Sequence, residues 1–217
     1  MAAAGYDPVL LDLDGTVIDS VALIRESHRH AVREVLGRDL PDEVLTANVG
    51  RPLLDQMRVF DADRADELVS VYRAWNLANH HGLLAAYPRI DAALARLREA
   101  GRRVGVVTSK SRATVELAFH VLGLEAGFDV LVAHEDTARH KPDPAPLLAA
   151  LELLGADPDD ACYVGDAPFD LRAARAAGVA PVAVTWGFFT RETLLAETPD
   201  AVVDTPEQLV DVCLGLR

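Results

Sequence analysis

Residues 9–20, V-L-L-D-L-D-G-T-V-I-D-S, constrain this chain more than any other segment. An apolar run drives into Asp12, one residue separates that carboxylate from Asp14, and Gly15-Thr16 follow at once. A short apolar run closed by Gly and polar residues reads as a fully buried strand. Carboxylates at its carboxyl end stand where open α/β sheets bind ligands. Residues i and i+2 of a continuing strand share a face, so Asp12 and Asp14 can address one substrate atom as nucleophile and acid/base partner. Asp and Gly also favour turns, and D-x-D-G alone would be two solvated acids on a bend. The rest of the chain decides between the two.

The next convincing strand is 103–108, R-V-G-V-V-T, far beyond the dozen or so residues a plain crossover needs. The intervening segment therefore carries an insertion. Within it Val21, Ile24, Ala31, Val32, Val35 and Leu36 recur at helical spacing, with Asp19 or Ser20 as N-cap and Gly37 as stop. Asp61 is placed to cap a second helix bearing Leu68, Val71, Tyr72, Trp75 and Leu77. Shorter apolar pieces at 43–47 and 53–60 flank Gly50-Arg51-Pro52. Segment 20–87 is expected to form a helical cap, on a core built from 1–19 and 88–217.

From Asp91 the pattern is regular. Helices are expected at 92–100, 112–122, from Asp143-Pro144 to Gly155, and at 168–177, alternating with strands at 103–108, 130–133, 161–164 and 181–185 and a short one at 201–203. Strict alternation predicts a three-layer α/β fold, a Rossmann-like parallel sheet covered by helices on both faces.

Composition narrows the partners. At 217 residues, half of them apolar, the chain fits one domain with an insertion and supports a real core. A net charge of −13 and no basic run argue against a nucleic-acid backbone. The same acidity repels anionic substrates, so a phosphate pocket has to supply its own cation or a metal. Cys162 and Cys213 lie far apart in sequence, one inside an apolar run, which fits reduced thiols in a cytoplasm better than a disulfide framework. Residues 1–5 lack a basic leader, and no run nears the roughly 18–20 apolar residues of a membrane span. A cytoplasmic protein that avoids membranes is expected.

Polar groups then recur at the strand ends: Asp12 and Asp14; Thr108-Ser109-Lys110; Lys141 ahead of Pro142-Asp143-Pro144; Gly165-Asp166 with Asp170. In sequence, spacing and strand context this set resembles the four motifs of the haloacid dehalogenase superfamily, over essentially the whole core, and most closely its phosphoglycolate phosphatase-like members with a helical cap. Phosphoryl transfer asks a protein to place a nucleophile and neutralise the equatorial oxygens. Asp12 is assigned as nucleophile and Asp14 as general acid and base. Mg²⁺, which takes one or two carboxylates plus a substrate phosphate, is expected on Asp12 and Asp166. The resemblance adds the main-chain carbonyl of Asp14. Thr108, Ser109 and Lys141 are assigned to phosphate, Lys141 being one of only two lysines in the chain. Asp170, one turn after Asp166, is placed to orient Lys141 or a metal-bound water.

The resemblance implies a Mg²⁺-dependent phosphatase acting on a small phosphorylated metabolite, phosphoglycolate-like or a sugar phosphate. Asp14 argues against a dehalogenase, whose members lack that acid. The absence of lysine from 20–87 argues against phosphonate cleavage through a cap Schiff base. A sugar-phosphate mutase stays open, since only the acceptor of the phosphoryl group differs. A non-catalytic phospho-Asp receiver or metabolite-binding relative is disfavoured by the large insertion and the complete motif set. Arg51 is the candidate for selecting substrate, and His28, His80 and His81 are expected on wet helix faces. Phe188 and Phe189 are expected in packing. Where many members have Pro-Gly, this chain has Pro88-Arg89.

Overall fold

The computed structural model describes residues 5–124 and 127–216. Of the expectation for residues 1–5, all but Gly5 lies outside these. In chain order the elements are β1 (Val9–Leu11), β2 (Ile18–Asp19), α1 (Val21–Leu36), α2 (Asp42–Thr46), α3 (Leu53–Phe60), α4 (Ala65–Leu83), β3 (Ala85–Ala86), α5 (Ile90–Glu99), β4 (Val104–Val107) and α6 (Arg112–Leu122). There follow β5 (Val130–Val132), α7 (Ala145–Leu154), β6 (Cys162–Gly165), α8 (Pro168–Ala177), β7 (Ala180–Val184), α9 (Arg191–Leu195), β8 (Ala201–Val203) and α10 (Pro206–Cys213).

Six strands pair in parallel in the order β5-β4-β1-β6-β7-β8. Alternate side chains of a strand leave by opposite faces, and β1 does this: Val9 and Leu11 enter one apolar cluster with residues of α5, α6 and α10, while Leu10 enters the other with residues of α7 and α8. Both faces are covered, so β1 is apolar throughout. Because β1 lies between β4 and β6, chain order reverses there, and the carboxyl ends of these three strands frame the crevice where such sheets bind ligands.

Helices α1 to α4 bury a cluster of their own, including Val32, Leu45, Met57, Leu68 and Tyr72. A two-stranded antiparallel ribbon, β2 with β3, joins this bundle to the sheet; two-residue strands are too short to read from sequence. Helix α4 begins at Ala65, later than expected, because the Asp61 carboxylate accepts the main-chain N–H groups of Asp63 and Arg64 and so caps the preceding turn. Leu77, one of the apolar residues read on this helix, is 63% exposed. Ahead of α5, Arg89 takes a left-handed φ of 67° at the position where many members have Gly, and its side chain pairs with Glu207 at 2.6 Å. The turn is thus made without a glycine.

His28 and His80 are corrections. Both are buried, His28 completely, whereas His81 is exposed as expected. His28 is fixed in the bundle by Nδ1, 2.9 Å from the Ile24 carbonyl, and packs edge-on against Tyr72 and Phe60. Burial pushes its pKa down to about 4. Phe189 packs beside Leu171 and Leu194, as expected. Cys162 and Cys213 are free thiols, both buried. Among the described residues no helix is long and apolar enough to cross a membrane.

Candidate active site

Asp12 follows β1, Thr108 follows β4, Asp166 follows β6, and Lys141 comes from the connection after β5. All four are buried. The Lys141 ammonium lies 2.9 Å from Asp12 Oδ1 and donates to Asp170 Oδ1 at 2.7 Å and to the Tyr163 hydroxyl at 3.0 Å. Tyr163 in turn donates to the Val107 carbonyl at 2.7 Å, which ties the lysine to β4. The second oxygen of Asp170 accepts the Ala167 N–H at 3.0 Å. Asp170 is therefore fully engaged, and of the two tasks expected of it, it touches Lys141.

The GT of the first motif serves the last one. Thr16 Oγ1 donates to Asp166 Oδ1 at 3.2 Å, and Gly15, at φ 79°, lies where any β-carbon would overlap the Asp166 carboxylate. The main-chain N–H of Phe188 holds Asp166 Oδ2 at 2.7 Å, and Gly187 leaves the same kind of room. Phe188 thus contributes its backbone here. Only the run T-W-G-F-F after β7 hinted at this; its N–H is invisible in side-chain patterns.

Asp14 is held by Lys110, whose ammonium donates to both carboxylate oxygens at 3.0 and 3.1 Å. Sequence reasoning gave Lys110 no role. The Thr108 N–H donates to the Val132 carbonyl at 2.9 Å, extending the β4–β5 ladder, so only the side chain can serve the phosphate expected there. Its hydroxyl oxygen accepts the Lys110 N–H at 3.2 Å, leaving the hydroxyl proton for a ligand. Ser109, expected on phosphate, instead donates to the Gly50 carbonyl at 2.8 Å and joins the helical bundle to the core. Arg51 lines the cavity; its Nη1 donates to Asn48 Oδ1 at 3.3 Å, and the guanidinium lies 5.9 Å from the Phe169 ring centroid.

These groups floor a cavity of about 710 Å³ lined by Asp12, Asp14, Thr108, Lys110 and Asp166 below and by residues of α3 and α4 above. Carboxylate oxygens of Asp12, Asp166 and Asp170 lie within 4.8 Å of one another. Burial pushes the Asp12 pKa up to about 7 and, with Asp170 and Asp12 adding to it, raises Asp166 well above the carboxylate range. Burial pulls the Lys141 ammonium down, but Asp12 and Asp170 outweigh it and hold the pKa well above that of an ordinary lysine. If all four are ionised, three carboxylates against one ammonium leave two negative charges. Asp12 Oδ1, although near Lys141, makes no directional hydrogen bond among the described residues. An orphaned carboxylate oxygen beside a double charge deficit fits a divalent cation held by oxygens. Asp170 pairs Oδ1 with the Lys141 ammonium, whereas the Asp166 oxygens accept only the uncharged Thr16 and Phe188 donors and keep their charge for a cation.

A parallel sheet with this carboxylate pair at its switch point holds the kinds of group that phosphoryl transfer needs. Residues 9–184 match the haloacid dehalogenase-like hydrolase family, and the chain belongs to it. It is similar to "Putative pyrophosphatase PpaX" of Caldanaerobacter subterraneus subsp. tengcongensis, 39% identical over 95% of this chain and 94% of the relative. Pyrophosphatase PpaX of Bacillus velezensis is 35% identical over 94% of each chain. The solved structure of a haloacid dehalogenase-like family hydrolase from Streptococcus pneumoniae superposes with a TM-score of 0.83 at 26% identity, covering 94% of this chain and 97% of that one. The protein is an enzyme of the phosphatase kind.

Proposed function

We propose that the protein is a Mg²⁺-dependent phosphatase that cleaves a small phosphate ester or anhydride through an aspartyl-phosphate on Asp12. The observation that carries this reading is the convergence of Asp12, Asp14, Thr108, Lys141 and Asp166 at one sheet edge beneath a roofed cavity. Asp12 attacks phosphorus as the bond to the leaving oxygen breaks, and Asp14 delivers a proton to that oxygen. Asp14 then takes a proton from the water that attacks the acyl phosphate, which regenerates the Asp12 carboxylate. Lys110 fixes where Asp14 stands. Lys141, with two protons spent on Tyr163 and Asp170, directs its third at Asp12 and the incoming phosphoryl oxygens, and the Thr108 hydroxyl donates to the same group.

Asp12 and Asp166, with the main-chain carbonyl of Asp14, would hold Mg²⁺. Bound there, the ion supplies the positive charge that lets an anionic carboxylate approach an anionic phosphate. We take 20–87 as the cap that excludes water during transfer, on a core of 1–19 and 88–217. Relatives named as pyrophosphatases put pyrophosphate among the substrates to be tried. The test is phosphate release from a panel of phosphorylated metabolites with Mg²⁺ present. Asp12→Asn is expected to lower turnover more than about 1000-fold with the fold intact, and EDTA to stop the reaction until Mg²⁺ is restored. Substantial activity in Asp12→Asn, or indifference to chelation, overturns the reading; interconversion of sugar-phosphate isomers with little phosphate released would make the enzyme a mutase.

A further inference from the structure

The cavity of about 710 Å³ extends well beyond the carboxylates at its floor, and one wall carries a cation that the protein itself leaves unused. Helix α4 supplies a stripe of that wall, Asp66, Val69, Arg73, Leu77 and His80, spaced three or four residues apart and so on one face. How far each stands from the floor follows from how the helix is anchored. Its carboxyl end runs straight into β3, which pairs with β2, and Ile18 of β2 bridges to Asp14. His80 is therefore at the low end of the stripe, close enough to the Lys110–Asp14 pair that both charges act on it. At 1.5 Å per residue, Leu77 lies about one turn further out and Arg73 about 10 Å beyond His80 along the axis. From the core, α6 starts just after Lys110 and runs away from the same floor, with Ala113 and Leu117 lining the cavity. Arg73 is exposed and makes no hydrogen bond or ion pair among the described residues. Elsewhere on the bundle Arg29, Arg33, Arg58 and Arg64 each reach a carboxylate. In a chain with 34 acidic residues against 21 lysines and arginines, a cation left free in the cavity is the exception. Leu77, one turn from it, is 63% exposed, whereas the other large apolar residues of α4 are buried or half-buried.

We infer that Arg73 is the distal anchor of the substrate, and that the leaving group is an aliphatic segment ending in an anion several bonds away from the ester oxygen. The inference rests on the phosphatase reading above and names the chemistry of its leaving group. With the phosphoryl group at Asp12, the segment runs outward past Leu77 and Leu117 and removes their apolar surface from water. Its terminal carboxylate or phosphate then meets the planar fork of the Arg73 guanidinium. An anion beside the ester oxygen falls short of Arg73. It lies nearer Arg51, whose loop is tied to the floor by the bond from Ser109 to the Gly50 carbonyl. Length of the leaving group, and not charge alone, is thus what this wall reads.

The test measures kcat/KM of the Mg²⁺-loaded full chain on ω-phosphooxy-alkanoates of increasing chain length, each divided by the value for the alkyl phosphate of equal length. A parallel set ending in a second phosphate tells which anion is preferred. The ratio for the long members is expected to exceed that for the shortest, in which the carboxylate is one methylene from the ester oxygen, at least about 10-fold. Arg73→Gln is expected to remove that gain and Arg73→Lys to restore part of it, with circular dichroism confirming the fold. The wild-type length series decides even where a variant fails to fold. A ratio that is flat with length or greatest for the shortest member, a gain that survives Arg73→Gln, or pyrophosphate turned over faster than every member of both sets overturns the inference and leaves the phosphatase reading standing. Absence of phosphate release from every compound removes that reading, and the inference with it.

Discussion

Acid stability of this protein should be governed in part by His28. The imidazole is fully buried among Tyr72, Phe60 and the apolar cluster of the helical bundle, with Nδ1 at the Ile24 carbonyl and the polar Gln56 side chain beside the ring. Burial holds its pKa near 4, against 6.5 for an unperturbed histidine. The unfolded chain therefore binds a proton that the folded chain refuses, and stability falls as pH drops from about 6.5 towards 4. At neutral pH the contribution is fully present. From the two pKa values, the loss reaches about 2 kcal/mol at pH 5 and about 3 kcal/mol at pH 4. His28→Leu removes the titrating group while keeping an apolar side chain of similar reach. Urea unfolding of both proteins at pH 7.5 and pH 5.0 reads the effect as a difference of differences, in which the remaining titrating groups cancel. The wild type is expected to lose about 2 kcal/mol more than the variant. Equal losses, or a His28 ring proton that titrates near 6.5 by NMR, would refute the reasoning.

Three further outcomes follow from the site. Lys141→Met leaves Asp12 and Asp170 buried against no cation, which should cost about 3–5 kcal/mol and lower the melting temperature by about 10 °C, with Asp170→Asn in the same chain recovering part of it; thermal melting with EDTA present checks both. Gly187→Ala puts a β-carbon into the Asp166 carboxylate, so Mg²⁺ titration of activity should need at least about 10-fold more metal with the circular dichroism spectrum unchanged. Ser109→Ala removes the 2.8 Å bond to the Gly50 carbonyl, a contact of about 1 kcal/mol, and KM should rise about 5-fold while kcat changes little.

The strands and the four polar clusters were legible because each is local: an apolar run, then a carboxylate, hydroxyl or lysine, then a helix start. The Lys110–Asp14 pair was not, since the partners are 96 residues apart and meet only because β4 lies beside β1. Alternation predicts a parallel sheet but leaves strand order open. The same order spends the Thr108 N–H on β5. The buried histidines are a different case, because the signal was present. His28 follows Ile24 by four residues and precedes Ala31 and Val32 by three and four; His80 continues the run Leu68, Tyr72, Asn76. Both lie on the buried stripe of their helices. Residue type outweighed position in placing them at the surface, and position was the better guide.

Burial of Asp12, Asp166, Asp170 and Lys141 is not explained by stability. Well-packed apolar residues of similar volume commonly serve a core as well as or better than a buried ionic cluster. Here the cluster carries more carboxylates than cations, and the surroundings are shaped to preserve it. Gly15 and Gly187 clear space for the Asp166 carboxylate, and Thr16 and the Phe188 N–H hold it in place. Tyr163, in the middle of an otherwise apolar strand, spends its hydroxyl on positioning Lys141. Each of these residues gives up packing or backbone freedom to fix one carboxylate or one ammonium. A fold that maintains uncompensated charge at such expense, at the strand ends where its sheet reverses order, is organised around what that charge binds.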